Sequence, residues 1–152
     1  MNVLMLAVAL LAAWSALASA VPGALRSSVL AWGPVAGLGA WGVILLQQVA
    51  ATDSLAATLL TERAVFGCMW KTYGIAVGPA LVILLLARRA APLDWRWTGG
   101  LSALSALAFG VIGTELICPI TGHAHLFNWH FVPVAVMTAA AFALGSMSVA
   151  RH

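Results

Sequence analysis

Apolar residues fall in blocks separated by short polar or turn-forming stretches, and the block lengths are those of membrane spans. A bilayer core of about 30 Å is crossed by about 20 apolar helical residues. Five runs of that length can be marked, at 2–21, 29–49, 64–87, 98–118 and 129–150. The first closes on Pro22-Gly23, the second follows Arg26-Ser27-Ser28, and the third stops at Arg88-Arg89. Together they use up most of the chain and leave no room for a soluble domain. The pattern predicts an all-α, polytopic transmembrane helix bundle that forms one integral membrane domain over residues 1–152.

Composition agrees with that pattern and narrows the function. Of the 152 residues, 63% are hydrophobic and 7% charged, and the mean hydropathy is +1.04. Soluble proteins average about 25% charged, and so few charges would leave large sticky patches on a water-exposed surface. A water-soluble enzyme, a nucleic-acid-binding module and a disordered tail are thereby excluded. The net charge of +3 comes from scattered basic residues, so it predicts lipid surroundings and no direct nucleic-acid partner.

Lys and Arg in short loops mark the cytoplasmic side. If the five spans alternate, Arg26, Arg88, Arg89, Arg96 and Arg151 share one side, while Arg63 and Lys71 lie toward the other with Asp53 and Glu62. This predicts the N-terminus outside, the loop with Arg88 inside and the segment after Cys118 outside. Trp95, Trp97 and Trp129 then fall near the interfaces that amphipathic rings favour. The first run ends in Ala18-Ser19-Ala20, as a cleavable secretory signal would. Its start carries no Lys or Arg and its apolar run is long, so retention as a helix is the expectation.

The chemistry-bearing residues lie along the third and fourth spans and just beyond. Cys68 precedes Arg88 by 20 residues, and Cys118 follows Trp97 by 21. At a rise of about 1.5 Å per residue both lie about 30 Å from the inner boundary, so the two thiols should share one depth at the outer face. Cys68, Thr72, Ala76 and Ala80 recur every four residues, as do Ser102, Ala106, Gly110, Thr114 and Cys118. Small residues at that spacing permit close helix approach in lipid. Lys71 and Glu115 each lie three residues deeper than a cysteine, with opposite sign at matched depth. Two readings stand for them: an ion pair across the hairpin, or separate snorkelling to the headgroups.

Beyond the fourth span the sequence reads CPITGHAHLFNWHFVP, from Cys118 to Pro133, with His123, His125 and His130 among the four histidines. Thiolate and imidazole are the ligands that zinc and copper favour. Cys68, Cys118, His123, His125 and His130 are therefore candidate metal ligands, Cys68 and Cys118 are equally a candidate redox pair, and unreactive packing thiols are the third reading. No residue set suggests catalysis. A transmembrane bis-His haem does not fit histidines confined to one outer segment and the C-terminus. A transporter would carry polar groups at mid-membrane, whereas Gln47, Gln48, Lys71 and Glu115 lie near span ends.

From residue 64 to 152 the chain resembles the NrsF family of bacterial membrane anti-sigma factors. The resemblance rests on GCMW at Gly67 to Trp70, RRAAPL from Arg88 to Leu93, the Gly/Ala/Ser-rich fourth span, and ELICP at Glu115 to Pro119 followed by histidines before Pro133. The first two spans resemble it in hydropathy alone. What the resemblance implies is a multi-pass protein of the bacterial inner membrane that restrains an extracytoplasmic-function sigma factor until a metal or oxidative signal arrives, with Cys68 and Cys118 as the responding pair. The family pattern has six spans after a cytoplasmic N-terminal arm, whereas the first span here begins at Asn2. The expected cytoplasmic surface is accordingly Arg26, Arg88, Arg89, Asp94, Arg96, Arg151 and His152. Two other functions compete. One is a membrane protein that binds or handles metal ions at the outer face. The other is a quinone-linked thiol oxidoreductase, which generally needs two redox pairs where this chain has two cysteines in all.

Overall fold

A computed structural model describes residues 2–21, 28–52, 66–89, 94–120 and 122–149, and these described residues form five helices. They are α1 (Asn2–Ser19), α2 (Ser28–Thr52), α3 (Phe66–Arg89), α4 (Trp95–Ile117) and α5, which starts as His123–Leu126, widens to a π turn over Phe127–Phe131 and continues as Val132–Val149. No strand occurs among the described residues. Helices α2 to α5 are each long and apolar enough to cross a membrane, and α1 is a shorter apolar helix. The chain is read as a membrane protein on that ground. Arg26, Asp53, Glu62, Arg63, Arg151 and His152, which entered the charge argument, lie outside the described residues.

Helix α4 is the hub, packed by α1, α3 and α5, while α2 lies against α1. Its burial follows from composition: Gly100, Ser102, Ser105, Ala106, Ala108 and Gly110 give it a thin, nearly all-round surface that neighbours can approach closely. Lipid tails are as apolar as leucine, so water exclusion supplies little drive between such helices, and packing and hydrogen bonds carry the association. The Ser105 hydroxyl donates to the Ala9 carbonyl of α1 at 2.8 Å, and the Ser19 and Thr98 hydroxyls meet at 2.6 Å. The larger apolar core holds Met5, Val8, Trp41, Leu45, Leu104, Val111 and Val134.

Two helix ends show how local sequence sets the register. The Asp94 carboxylate caps α4 by accepting from the Arg96 and Trp97 amides at 3.0 and 3.3 Å, so the helix opens three residues before the expected span. At the other end Pro119 disfavours helical backbone in the preceding residue. Cys118 is accordingly extended (φ −87°, ψ 120°) and stops the helix.

Helix α5 departs most from expectation, since it begins at His123 and not at residue 129. His123 and His125 fall between the expected fourth and fifth spans, but Ala124, His125 and Leu126 are buried and make a first helical turn. Pro133 would ordinarily break a helix, because it lacks an amide proton and its ring crowds the carbonyl four residues back. Here the π turn just before it shifts the bonding: the Val132 amide donates to the Phe127 carbonyl five residues earlier. The widened turn absorbs the proline without ending the helix.

The π turn also aims Phe131 at Trp41, edge to face with centroids 5.5 Å apart, over Gly42. A Cβ at residue 42 would overlap the Phe131 ring. Gly42→Ala is expected to cost about 1–2 kcal/mol, limited by the ring's freedom to turn aside, and a lowered thermal midpoint in detergent would register it.

Candidate functional site

The α3–α4 contact is a seam of small residues. Cys68, Thr72 and Ala76 of α3 are buried, as are Ala106, Gly110 and Thr114 of α4. A side chain at residue 110 would collide with the Thr72 carbonyl and stand 3.1 Å from the Ala76 methyl, so only glycine lets the backbones come this close. Thr114 donates to the Gly110 carbonyl at 2.8 Å. The Thr72 hydroxyl, with a single proton, sits between the Cys68 carbonyl at 3.1 Å and Thr114 Oγ1 at 3.0 Å. Both threonines had counted only as small members of the stripes. Their hydroxyls make the seam a hydrogen-bonded clasp, a role that a threonine four residues from each cysteine, at matched depth, could have signalled. Thr114→Val is expected to lower stability by about 0.6–1.7 kcal/mol, the range found for such bonds in membranes, in a reversible unfolding titration.

The seam ends at the two thiols, whose sulfurs are 3.1 Å apart. Cys68 is buried because α4 and its exit cover it, while Cys118 is half-buried because it stands where α4 has already ended. Cys118 Sγ also lies 3.5 Å from His125 Nε2 and 3.7 Å from the Ile120 carbonyl. The His125 and His130 rings meet edge to face with centroids 5.3 Å apart. One ligand atom from each of Cys68, Cys118, His125 and His130 falls within 4.8 Å of all the others. His123 is not in this group. It opens the helix two residues before His125, and two residues turn a helix by about 200°, which directs it away from the cluster.

The ion pair between Lys71 and Glu115 is not formed. Lys71 is exposed, and Glu115 is half-buried with Oε1 lacking a hydrogen-bond partner among the described residues. The reason is helical phase. Depth alone would match the two, but the seam runs through Thr72 and Thr114. Lys71 precedes its seam residue and Glu115 follows its own. In an antiparallel pair those positions lie on opposite flanks, so the two charges point to different sides of the hairpin. Lys71→Gln is therefore expected to change stability by no more than about 0.5 kcal/mol, measured in the same unfolding titration.

At the opposite end of the α3–α4 hairpin stand Arg88, Arg89, Asp94 and Arg96; Arg88, Arg89 and Arg96 are exposed, and Asp94 is occupied in capping. The same two helices that hold the thiols thus carry a cluster of charge at their far ends.

No curated protein and no solved structure matches the chain. A family model does, described as negative regulator of sigma F, and it covers residues 1–150. The match includes α1 and α2, whose sequence resembled the family in hydropathy alone. With the thiol-ended seam of α3 and α4 inside that match, the chain belongs to the NrsF family, negative regulators of a sigma factor.

Proposed function

We propose that this protein is a multi-pass anti-sigma factor of the bacterial inner membrane that holds an extracytoplasmic-function sigma factor inactive and responds to metal or oxidant through Cys68 and Cys118. Family membership supports the regulator. The observation that carries the sensor is the 3.1 Å separation of two sulfurs at one end of a clasped helix pair. Any bond made between or across these sulfurs acts on α3 and α4 together, and their far ends bear the basic residues Arg88, Arg89 and Arg96. The excess of Lys and Arg around that hairpin turn supports its lying in the cytoplasm, with the thiols on the outer side and the N-terminus outside. A signal shifts the balance between two packings only by binding or reacting with one of them preferentially. The protein itself is a regulator and not an enzyme in this reading.

Co-purification tests it. The tagged full-length protein, extracted under reducing, metal-free conditions, is expected to carry a sigma factor and to lose it when metal or oxidant is added. Replacement of Cys68 or Cys118 by Ser should leave the sigma factor bound but unresponsive. Absence of any sigma factor under those conditions would overturn the proposal. A second reading, handling of metal ions at the outer face, is favoured by the proximity of two imidazoles to the thiols. Under that reading metal is retained but no sigma factor is recovered with the protein. Quinone reduction coupled to thiol oxidation would instead point to an oxidoreductase.

A further inference from the structure

We propose that Cys68, Cys118, His125 and His130 form one four-coordinate site for a divalent ion of the zinc class, built by the π turn of α5. The proposal deepens the sensor reading, on which its consequence for the sigma factor rests, by naming what the sensor binds.

His130 is the observation that points to a ligand. Its ring is 0% exposed, and neither Nδ1 nor Nε2 has a hydrogen-bond partner among the described residues. Burying a polar ring with both nitrogens unpaired is costly, and a metal–nitrogen bond is one way that cost is met. The histidine is not stranded by chance packing, because one of its nitrogens lies within 4.8 Å of ligand atoms from His125 and both cysteines. Ligand atoms about 3.3–3.8 Å apart surround a tetrahedral centre with bonds of 2.0–2.3 Å. The S–S and S–N distances of 3.1 and 3.5 Å are already close to that, and the remaining spread closes by small rotations of the imidazoles.

The π turn explains how two histidines five residues apart converge. Along an α-helix, residues five apart point about 140° away from each other. The i→i+5 bonding through Phe127–Phe131 widens the turn and brings His130 back toward the face of His125. π turns inside α-helices occur often at functional sites. In this chain the turn delivers two imidazoles to two thiols that another pair of helices has already brought together.

Charge selects the ion. On binding, each thiol gives up its proton to solvent and each imidazole binds through a neutral nitrogen. Two thiolates and a divalent cation then sum to zero, which suits a cluster at the margin of an apolar slab, where net charge is expensive. A monovalent soft ion on the same ligands would leave one negative charge. Two sulfurs with two imidazole nitrogens in a tetrahedron favour zinc and its congeners.

Cobalt(II) is the probe, added to the full-length protein purified in detergent, reduced and stripped of metal. One equivalent is expected to produce the visible ligand-field bands of tetrahedral cobalt and a thiolate charge-transfer band, both bleached by zinc. Bound zinc should also shield Cys118 from maleimide. His130→Ala, His125→Ala and Cys68→Ser are each expected to weaken binding by more than the roughly 10–100-fold that loss of an outer-shell partner costs. His123→Ala should leave the spectrum and affinity unchanged. His130→Cys separates ligation from folding, because a folded variant with a third thiolate should regain tetrahedral cobalt with a stronger charge-transfer band. A folded wild type that binds no cobalt, shows only octahedral spectra, or keeps its spectrum in His130→Ala would overturn the site. The binding assay contains no sigma factor. If cobalt binds but no sigma factor co-purifies, the regulator reading fails alone; if oxidant releases a sigma factor from protein that binds no cobalt, the metal site fails alone.

Discussion

Treatment of the reduced protein in membranes with a diazenedicarboxamide is expected to join Cys68 to Cys118 in nearly every chain. The two thiols surrender two protons and two electrons to the nitrogen–nitrogen double bond, and a sulfur–sulfur bond forms. The sulfurs need to close by only about 1 Å from 3.1 Å to reach bonding distance. Neither cysteine should then react with maleimide until a reductant is added, whereas Cys68→Ser should leave Cys118 fully reactive throughout. The cross-link spans 50 residues of sequence, for which the chain-entropy model gives about 4 kcal/mol of stabilisation. That figure is an upper bound, because α3 and α4 remain helical and tethered in the bilayer even when apart. Both thiols staying fully reactive after oxidation would show that they are not neighbours.

Gly110→Ala is expected to be the most damaging single methyl in the α3–α4 hairpin, at about 3 kcal/mol, the upper end for overpacking. The new Cβ would meet the Thr72 carbonyl, a backbone atom that no rotamer change removes. At Gly113, one turn further along α4, the obstacle is side chain and not backbone, the Ile75 Cγ2 methyl at 2.9 Å and Cδ1 at 3.2 Å, and Ile75 is exposed enough to shift by a few tenths of an ångström. Gly113→Ala should therefore cost about 1 kcal/mol or less. Since the seam ends at the thiols, Gly110→Ala should also slow the cross-linking described above, and Gly113→Ala should not. Equal effects of the two substitutions on unfolding and cross-linking would mean that α3 and α4 do not meet along this register.

The helices were legible because each is a local property. Runs of about 20 apolar residues, the stop at Arg88-Arg89 and the break at Pro119 can be read without knowing what packs on what. The start of α5 was not legible, because histidine reads as polar until something buries it, and Ala124, His125 and Leu126 are buried only against the rest of the bundle. The π turn left a trace in the sequence, a proline at 133 with two histidines five apart before it, but neither alone distinguishes a widened helix from a loop. Depth along the membrane was computable from residue counts, and it set Cys68 level with Cys118. It equally set Lys71 level with Glu115, which do not meet, since depth says nothing about which flank of a helix a side chain occupies.

By itself the sequence determined that the chain is helical and membrane-borne and roughly where each helix lies, and it set two thiols at one level, with three histidines in the segment that follows the second. Those follow from hydropathy and from the fixed rise of an α-helix, which act residue by residue. The tertiary structure alone decided azimuth: that Thr72 and Thr114 face each other through the space left by Gly110, that Lys71 and Glu115 fall on opposite flanks, and that His125 and His130 join the sulfurs while His123 does not. Rotation about a helix axis is set by which surfaces fit together, and that depends on every partner at once.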